Sequence, residues 1–317
     1  ARVRPDDLLA GVIREVVAHS SFKSEDVEDV IVGCASQSGE DSRCVARHAA
    51  LLSGLPIEVG GSVLQRNCGS GLSAIISAAH AVTCGEGDVM VAGGVESMTR
   101  APFLLGKADA AFTKKIQVFD SSIGARFTNP KLEAEFGDDT MPETADNLAR
   151  DHQISREDSD VFAAASQSRY AAAKKDGFFE GEITPVTVPG GRKNPDVTVA
   201  EDEHPRPNTD LEGLGKLRAL NKDGVTTAGN ASGINDGAVA LIIASQAAGE
   251  AAGCEPMVRI RATAIAGVPP RTMGFGPVPA SQKALARAGL TLDDMDVIEI
   301  NEAFAAQVLA CLKGLGV

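Results

Sequence analysis

The chain has no tryptophan and a single tyrosine, Tyr170, and aromatics make up 4% of its 317 residues. Its core must therefore be aliphatic, built from Ala, Val, Leu and Ile. Basic residues are also scarce. Thirty Lys and Arg stand against 43 Asp and Glu, a net charge of −13. A nucleic-acid protein needs a basic face for phosphates, so that class is excluded, although a local basic pocket for an anion is not. No apolar run approaches the roughly 20 residues of a spanning helix, so no membrane segment is expected. The six cysteines form no C-x-x-C pair and meet no histidine at zinc-finger spacing, which gives no metal site. Scattered cysteines without a signal peptide read as a reducing, cytoplasmic setting. Neither a phosphate-binding G-x-x-x-x-G-K-[ST] loop nor a G-x-S-x-G elbow occurs. The five histidines lie on helical stretches or in polar segments, and none marks an obvious general base.

What remains is ordinary globular material, 44% hydrophobic with 33 glycines. The N-terminal part alternates helix and strand. Helical patterns run from Asp6 to Ala18 and from Ser42 to Ser53, and strands are expected at Val27–Val32 and Asp88–Gly94. This alternation predicts an α/β fold with a mainly parallel sheet covered on both faces. Residues 98–234 are more polar. They hold two helical stretches, Glu143–Asp151 and Arg156–Asp176, the second opened by a capping-type Ser155-x-x-Asp158. A Pro- and Gly-rich run lies between Pro185 and Pro207. The segment reads as an insertion on the core. Beyond it, strands are expected at Ala238–Ala244 and Val258–Ile265. A helix, acidic connector and strand (Ser281–Ala288, Leu290–Met295, Val297–Ile300) repeat the order seen near the start.

The most informative local pattern is Gln65-Arg66-Asn67-Cys68-Gly69-Ser70-Gly71-Leu72, just ahead of a small-residue helix. A thiol at the mouth of a helix meets the positive end of the macrodipole, a setting in which cysteines act as nucleophiles. Glycines at 69 and 71 let a carbonyl come close. The competing reading is an inert, buried cysteine. Gly69 to Ala74 also satisfies G-x-G-x-x-A, but Gln65-Arg66-Asn67-Cys68 is no β-branched strand, which argues against a dinucleotide site. Asn301-Glu302-Ala303-Phe304 follows an expected strand end, where an Asn could hold a water or serve only as a turn residue.

Together, Asn67-Cys68-Gly69-Ser70-Gly71, Gly93-Gly94-Val95-Glu96-Ser97-Met98, Ala228-Gly229-Asn230-Ala231-Ser232-Gly233, Gly274-Phe275-Gly276-Pro277-Val278-Pro279 and Asn301-Glu302-Ala303-Phe304 resemble the thiolase family in order and along the whole chain. Phe119–Phe127, Met141–Asn147 and Asp202–Pro207 are most similar to the 3-oxoadipyl-CoA (beta-ketoadipyl-CoA) thiolases within it. The resemblance implies duplicated α/β halves with mixed sheets covered by helices, plus an inserted loop domain. On that basis residues 1–97 and 235–256 form the N-terminal half, 98–234 the loop domain and 257–317 the start of the C-terminal half. It implies that Cys68 is the acylated residue and that Asn301 holds an oxyanion-hole water. Ala228 and Ser232 line the pantetheine path, Arg206 lies near the CoA nucleotide, and Met141, Met273 and Phe304 wall the acyl group. The partners are acyl-CoA and CoA, with coenzyme A a substrate and no cofactor. The assembly is a homodimer or homotetramer. Where biosynthetic members carry His before the first Met, this chain has Thr140. The implied activity is thiolytic cleavage of a 3-oxoacyl-CoA. The alternatives are biosynthetic condensation of two acetyl-CoA, or a non-catalytic acyl-CoA- or lipid-binding relative or inactive fragment. Family members also carry a Gly-His-Pro segment with the catalytic His, a Cys-x-Gly segment with the acid/base Cys, and a first strand. None of these is found between Ala1 and Val317, and Cys311 does not match the second catalytic Cys. The expectation is that residues 1–317 alone do not turn over.

Overall fold

The computed structural model describes residues 2–108 and 110–317. It divides into two compact units: Ala1–Ile123 with Gly181–Glu201 and Ile234–Arg259, and Gly124–Glu180 with Asp202–Gly233 and Ile260–Val317. Among the described residues no helix is long and apolar enough to cross a membrane.

The first unit is a mixed α/β sandwich. Helix α1 (Pro5–Ala18) starts with Pro at its first position and Asp6 and Asp7 in its first turn, both favourable where backbone N–H groups are unpaired. Leu9, Ile13 and Val17 recur at helical spacing and are buried, so one stripe faces the sheet. The sheet runs β2 (Ser62–Leu64), β1 (Asp29–Gly33), β3 (Val89–Glu96), β8 (Gly237–Ala244). The β1–β2 and β1–β3 pairings are parallel, and β8 returns antiparallel to β3 from Val89↔Ala244 to Glu96↔Gly237. Val30, Val32 and Val91 are buried, as in strands covered on both faces. β8 lies at the edge and alternates between exposed and half-buried residues. Helices α2 (Val45–Ser53) and α3 (Ser70–Cys84) complete the layers, with α8 (Gln246–Ala251) after β8. Helix α2 begins at Val45 rather than Ser42 because Arg43 and Cys44 take positive φ, 58° and 68°, which no right-handed helix accepts. Two small hairpins, β4 (Phe103–Leu105) with β5 (Val118–Asp120) and β6 (Val186–Val188) with β7 (Val197–Val199), also belong to this unit.

The second unit is mainly helical. It holds α4 (Pro130–Phe136), α5 (Met141–Asp151), α6 (Arg156–Lys175), α7 (Leu211–Gly215), α9 (Pro277–Ala288) and α10 (Ala305–Leu315). Its core is Leu148, Ala149 and Ile154 against Ala306 and Ala310, with Val225, Phe275 and Leu309 packed on them.

Two expectations need correction. Val258–Ile265 and Val297–Ile300 form no strand. An apolar, β-branched run states a preference for extended backbone, but a strand also needs a neighbour for its N–H and C=O groups. Neither segment enters a ladder among the described residues, and Val258 and Val297 are 82% and 76% exposed. In the two compact units, residues 98–123 and 181–201 go with the first and 124–180 and 202–233 with the second.

Candidate active site

In the first unit the turn between β2 and α3 presents Cys68. Asn67 adopts φ 47°, the left-handed region that Asn tolerates better than most residues. Ser70 ties the turn from inside: its hydroxyl accepts the Arg66 N–H at 2.8 Å and donates to the Asn67 carbonyl at 2.6 Å. The Arg66 guanidinium bonds Ser73 Oγ at 2.9 Å, one turn into the helix. The backbone of Gly69 donates to Arg66 at 3.0 Å. Cys68 is left exposed, one residue before the N-cap Gly69. The turn sits hard on the sheet: a Cβ at Gly33 would collide with the backbone of Ser70 and Gly71. Only glycine at the end of β1 lets the mouth of α3 come this near.

Two other cysteines contrast with it. Cys34 and Cys311 are buried. Burial pushes the Cys34 thiol up to about 12, and Cys311 is raised for the same reason. Cys34 Sγ donates to Asp41 at 3.7 Å. Cys34, Asp41 and Glu96 group their donor atoms within 4.8 Å. The Glu96 carboxylate there accepts the N–H groups of Ala35 and Ser36 at 2.9 and 3.0 Å, and Asp41 that of Gly39 at 2.8 Å, so the cluster holds the turn after β1. A prediction follows from the raised thiol. The folded state keeps the Cys34 proton above the ordinary cysteine value near 9, so its contribution is complete below that pH and is lost as pH climbs towards 12. Unfolding free energy measured from pH 8 to 10.5 is expected to fall less steeply in Cys34→Ala than in the parent. Parallel slopes would contradict the assignment.

In the second unit, α5 opens with Met141, 43% exposed. Thr140 and Glu143 form a capping box at 2.7 Å, and these bonds hold the Glu143 carboxyl below its usual range. The α5 residue Asn147 donates to the Arg271 carbonyl at 2.9 Å, fastening α5 to the 3-10 segment Pro270–Phe275, which carries the half-buried Met273. Residues 225–232 form a strap along 301–305. Ser232 N–H donates to the Ala303 carbonyl at 2.9 Å, Ala305 N–H donates to that of Asn230 at 2.9 Å, and Ala231 pairs with Phe304. Asn301 and Ser232 are exposed and line one cavity of about 270 Å³ with Ser166, Gln167, Tyr170 and His204. Glu302 accepts the Ser166 hydroxyl at 2.6 Å. Ala228 lies exposed within the strap. Arg206 is exposed, but its guanidinium turns onto its own loop, donating to the carbonyls of Glu203, His204 and Pro205 at 2.7, 2.8 and 3.1 Å. Its backbone N–H donates to Gln167 at 2.7 Å.

Of the residues picked out from sequence, Asn301, Ser232, Ala228 and Phe304 thus belong to one strap-and-segment assembly. Met141 and Met273 sit on a pair of fastened elements, and Cys68 stands on its own turn in the first unit. Sequence reasoning missed Asp146. This buried carboxylate accepts the N–H groups of Val225 and Thr226, both at 2.9 Å, the Thr226 hydroxyl at 2.8 Å and the Asn221 amide at 2.8 Å. Its only local signal was a carboxylate flanked by apolar and small residues on a helix that ought to bury them.

The chain matches the family models for the thiolase N-terminal domain over residues 1–247 and the thiolase C-terminal domain over 254–317. It is 54% identical over 316 residues to a beta-ketoadipyl-CoA thiolase of Escherichia coli, covering 99% of this chain and 79% of the relative. It is 44% identical to an acetyl-CoA acetyltransferase of E. coli K12, covering 98% and 77%. Among solved structures it resembles the Bacillus anthracis acetyl-CoA acetyltransferase, with TM-score 0.91, 37% identity and 99% and 78% coverage. It also resembles human mitochondrial 3-ketoacyl-CoA thiolase, with TM-score 0.90, 38% identity and the same coverage.

Proposed function

The chain belongs to the thiolase family of acyltransferases, and from that membership we propose that the protein carrying it cleaves 3-oxoadipyl-CoA with CoA to acetyl-CoA and succinyl-CoA. The observation that carries the chemistry is the exposed Cys68 thiol, fixed by Ser70 and Arg66 at the mouth of α3. Cys68 thiolate attacks the 3-keto carbon. The bond between C2 and C3 then breaks, and its electron pair leaves with acetyl-CoA as an enolate. Asn301, through a water, stabilises the enolate oxygen, and an acid delivers a proton to C2. The thiol of a second CoA attacks the acyl-Cys68 thioester, releasing succinyl-CoA and the Cys68 thiolate, while the CoA proton passes to a base. The scheme is ping-pong. In this reading Ala228 and Ser232 flank pantetheine, Arg206 lies towards the CoA nucleotide, and Met141, Met273 and Phe304 contact the acyl chain. The enzyme is a cytoplasmic homodimer or homotetramer. Its unpaired cysteines fit a reducing compartment.

For the distal carboxylate of the adipyl chain we assign Arg126, half-buried in the Phe119–Phe127 stretch that resembles the adipyl-type thiolases, because guanidinium meets carboxylate with two parallel hydrogen bonds. The intact protein is expected to favour 3-oxoadipyl-CoA over acetoacetyl-CoA in kcat/KM. Arg126→Ala is expected to reduce that preference about 10- to 100-fold, the worth of a charge-assisted pair. An unchanged preference removes Arg126 from the site. A parent enzyme that prefers acetoacetyl-CoA overturns the adipyl assignment.

A further inference from the structure

The strap that pairs by its backbone with residues 303–305 is itself held to α6 largely through one side chain, Asn230. It is 5% exposed. Its Nδ2 donates to Asp160 Oδ1 at 2.9 Å and to the Val225 carbonyl at 3.0 Å, and its Oδ1 accepts the Thr227 N–H at 2.7 Å. Its backbone carbonyl accepts the Ala305 N–H at 2.9 Å, at the first residue of α10. Asp160 is itself held, its other oxygen accepting Arg156 Nε at 2.7 Å. An amide is the side chain that supplies two donors and an acceptor at this length. Aspartate has no donor, and serine cannot reach on both sides. The bonds of this residue therefore run to α6, to the rest of the strap, and across to the segment that carries Asn301 through Phe304.

We propose that Asn230 is a positioning residue for Asn301. Its side chain fixes the strap to α6 through Asp160, and so fixes the backbone carbonyl that accepts the Ala305 N–H; in this way it sets where the Asn301 side chain stands, and its alignment with the enolate oxygen. The proposal rests on the reading of Asn301 given above. A misplacement of the order of 1 Å in an electrostatic stabiliser costs rate without loosening substrate.

The test separates the two halves of the reaction in the intact protein. Cleavage of 3-oxoadipyl-CoA forms an enolate. Exchange of the succinyl group between succinyl-CoA and isotopically labelled CoA passes through the same Cys68 thioester and forms none. Asn230→Ala and Asp160→Ala are expected to lower kcat for cleavage about 10- to 100-fold, with KM within about twofold and exchange within about threefold. Asp160→Asn keeps an oxygen for the Asn230 amide and is expected to recover cleavage to within about threefold of the parent. The surviving exchange reports that each variant is folded. Unchanged cleavage in Asn230→Ala overturns the proposal. So does a parallel loss of both half-reactions in both alanine variants, which would make Asn230 a folding residue. Asn301→Ala serves as the reference and is expected to depress cleavage and spare exchange. If it does not, the reading of Asn301 fails. If it does while Asn230→Ala leaves cleavage intact, only the positioning role fails.

Discussion

Cys68→Ala lowers turnover of the intact protein on 3-oxoadipyl-CoA by at least about 10⁴-fold, the scale on which enzymes lose rate when a covalent nucleophile is removed. The loss has to fall on kcat, because covalent attack in this reading belongs to Cys68 alone. Cys34 and Cys311 are buried with their thiols raised. Cys84 is exposed, but it lies at the opposite end of α3 from the Cys68 turn. Stability should hardly move. The side chain is exposed, and the turn is tied by Ser70 and Arg66 rather than by the thiol; exposed substitutions of this kind stay within about 0.5 kcal/mol. Steady-state rates together with a urea titration check both halves. A variant that keeps a tenth of the parent rate would remove covalent catalysis at Cys68 from the account.

The largest stability effect is expected at Asp146. Its carboxylate is the acceptor for Asn221, Val225 and Thr226, between 2.8 and 2.9 Å, and Thr226 is 1% exposed. Asp146→Ala strands these donors, those of Thr226 buried and the others half-buried, at about 1–3 kcal/mol for each fully orphaned group. Relaxation of the 221–226 loop recovers part of this, so the net expectation is about 3–5 kcal/mol. Asp146→Asn keeps an oxygen on the same stem and should lose about half as much. Chemical unfolding of parent and both variants decides the matter. Equal losses in Ala and Asn would mean that charge rather than acceptor capacity matters at this position, and no loss would mean that the loop does not depend on Asp146.

Much of the architecture was legible because it is written locally. The Leu9, Ile13, Val17 stripe, the Ser155–Asp158 capping box and the continuous apolar strand after Asp88 each carry their periodicity or cap in adjacent residues. Pairing is not local. Val258–Ile265 and Val297–Ile300 have strand-like side chains, yet extended backbone becomes a strand only beside a partner. The site shows the same division. The run around Cys68 announced a thiol at a helix mouth by its own letters. Ser232 is brought beside the Asn301 segment by its backbone bond to Ala303, across a gap of about seventy residues, and only the family resemblance put the two in one site. Asp146 and Asn230 were invisible for the same reason, since a buried carboxylate or amide is recognised by its distant partners and not by its neighbours in the chain.

The most direct measurement of the central claim is the intact mass of the purified protein after rapid mixing with 3-oxoadipyl-CoA in the absence of free CoA, with peptide mapping of any adduct and Cys68→Ala alongside. The account predicts a succinyl group on the Cys68 peptide that appears as acetyl-CoA is released, disappears when CoA is added, and never forms in Cys68→Ala. Release of acetyl-CoA with no adduct on Cys68, or an adduct of equal yield in Cys68→Ala, would contradict it.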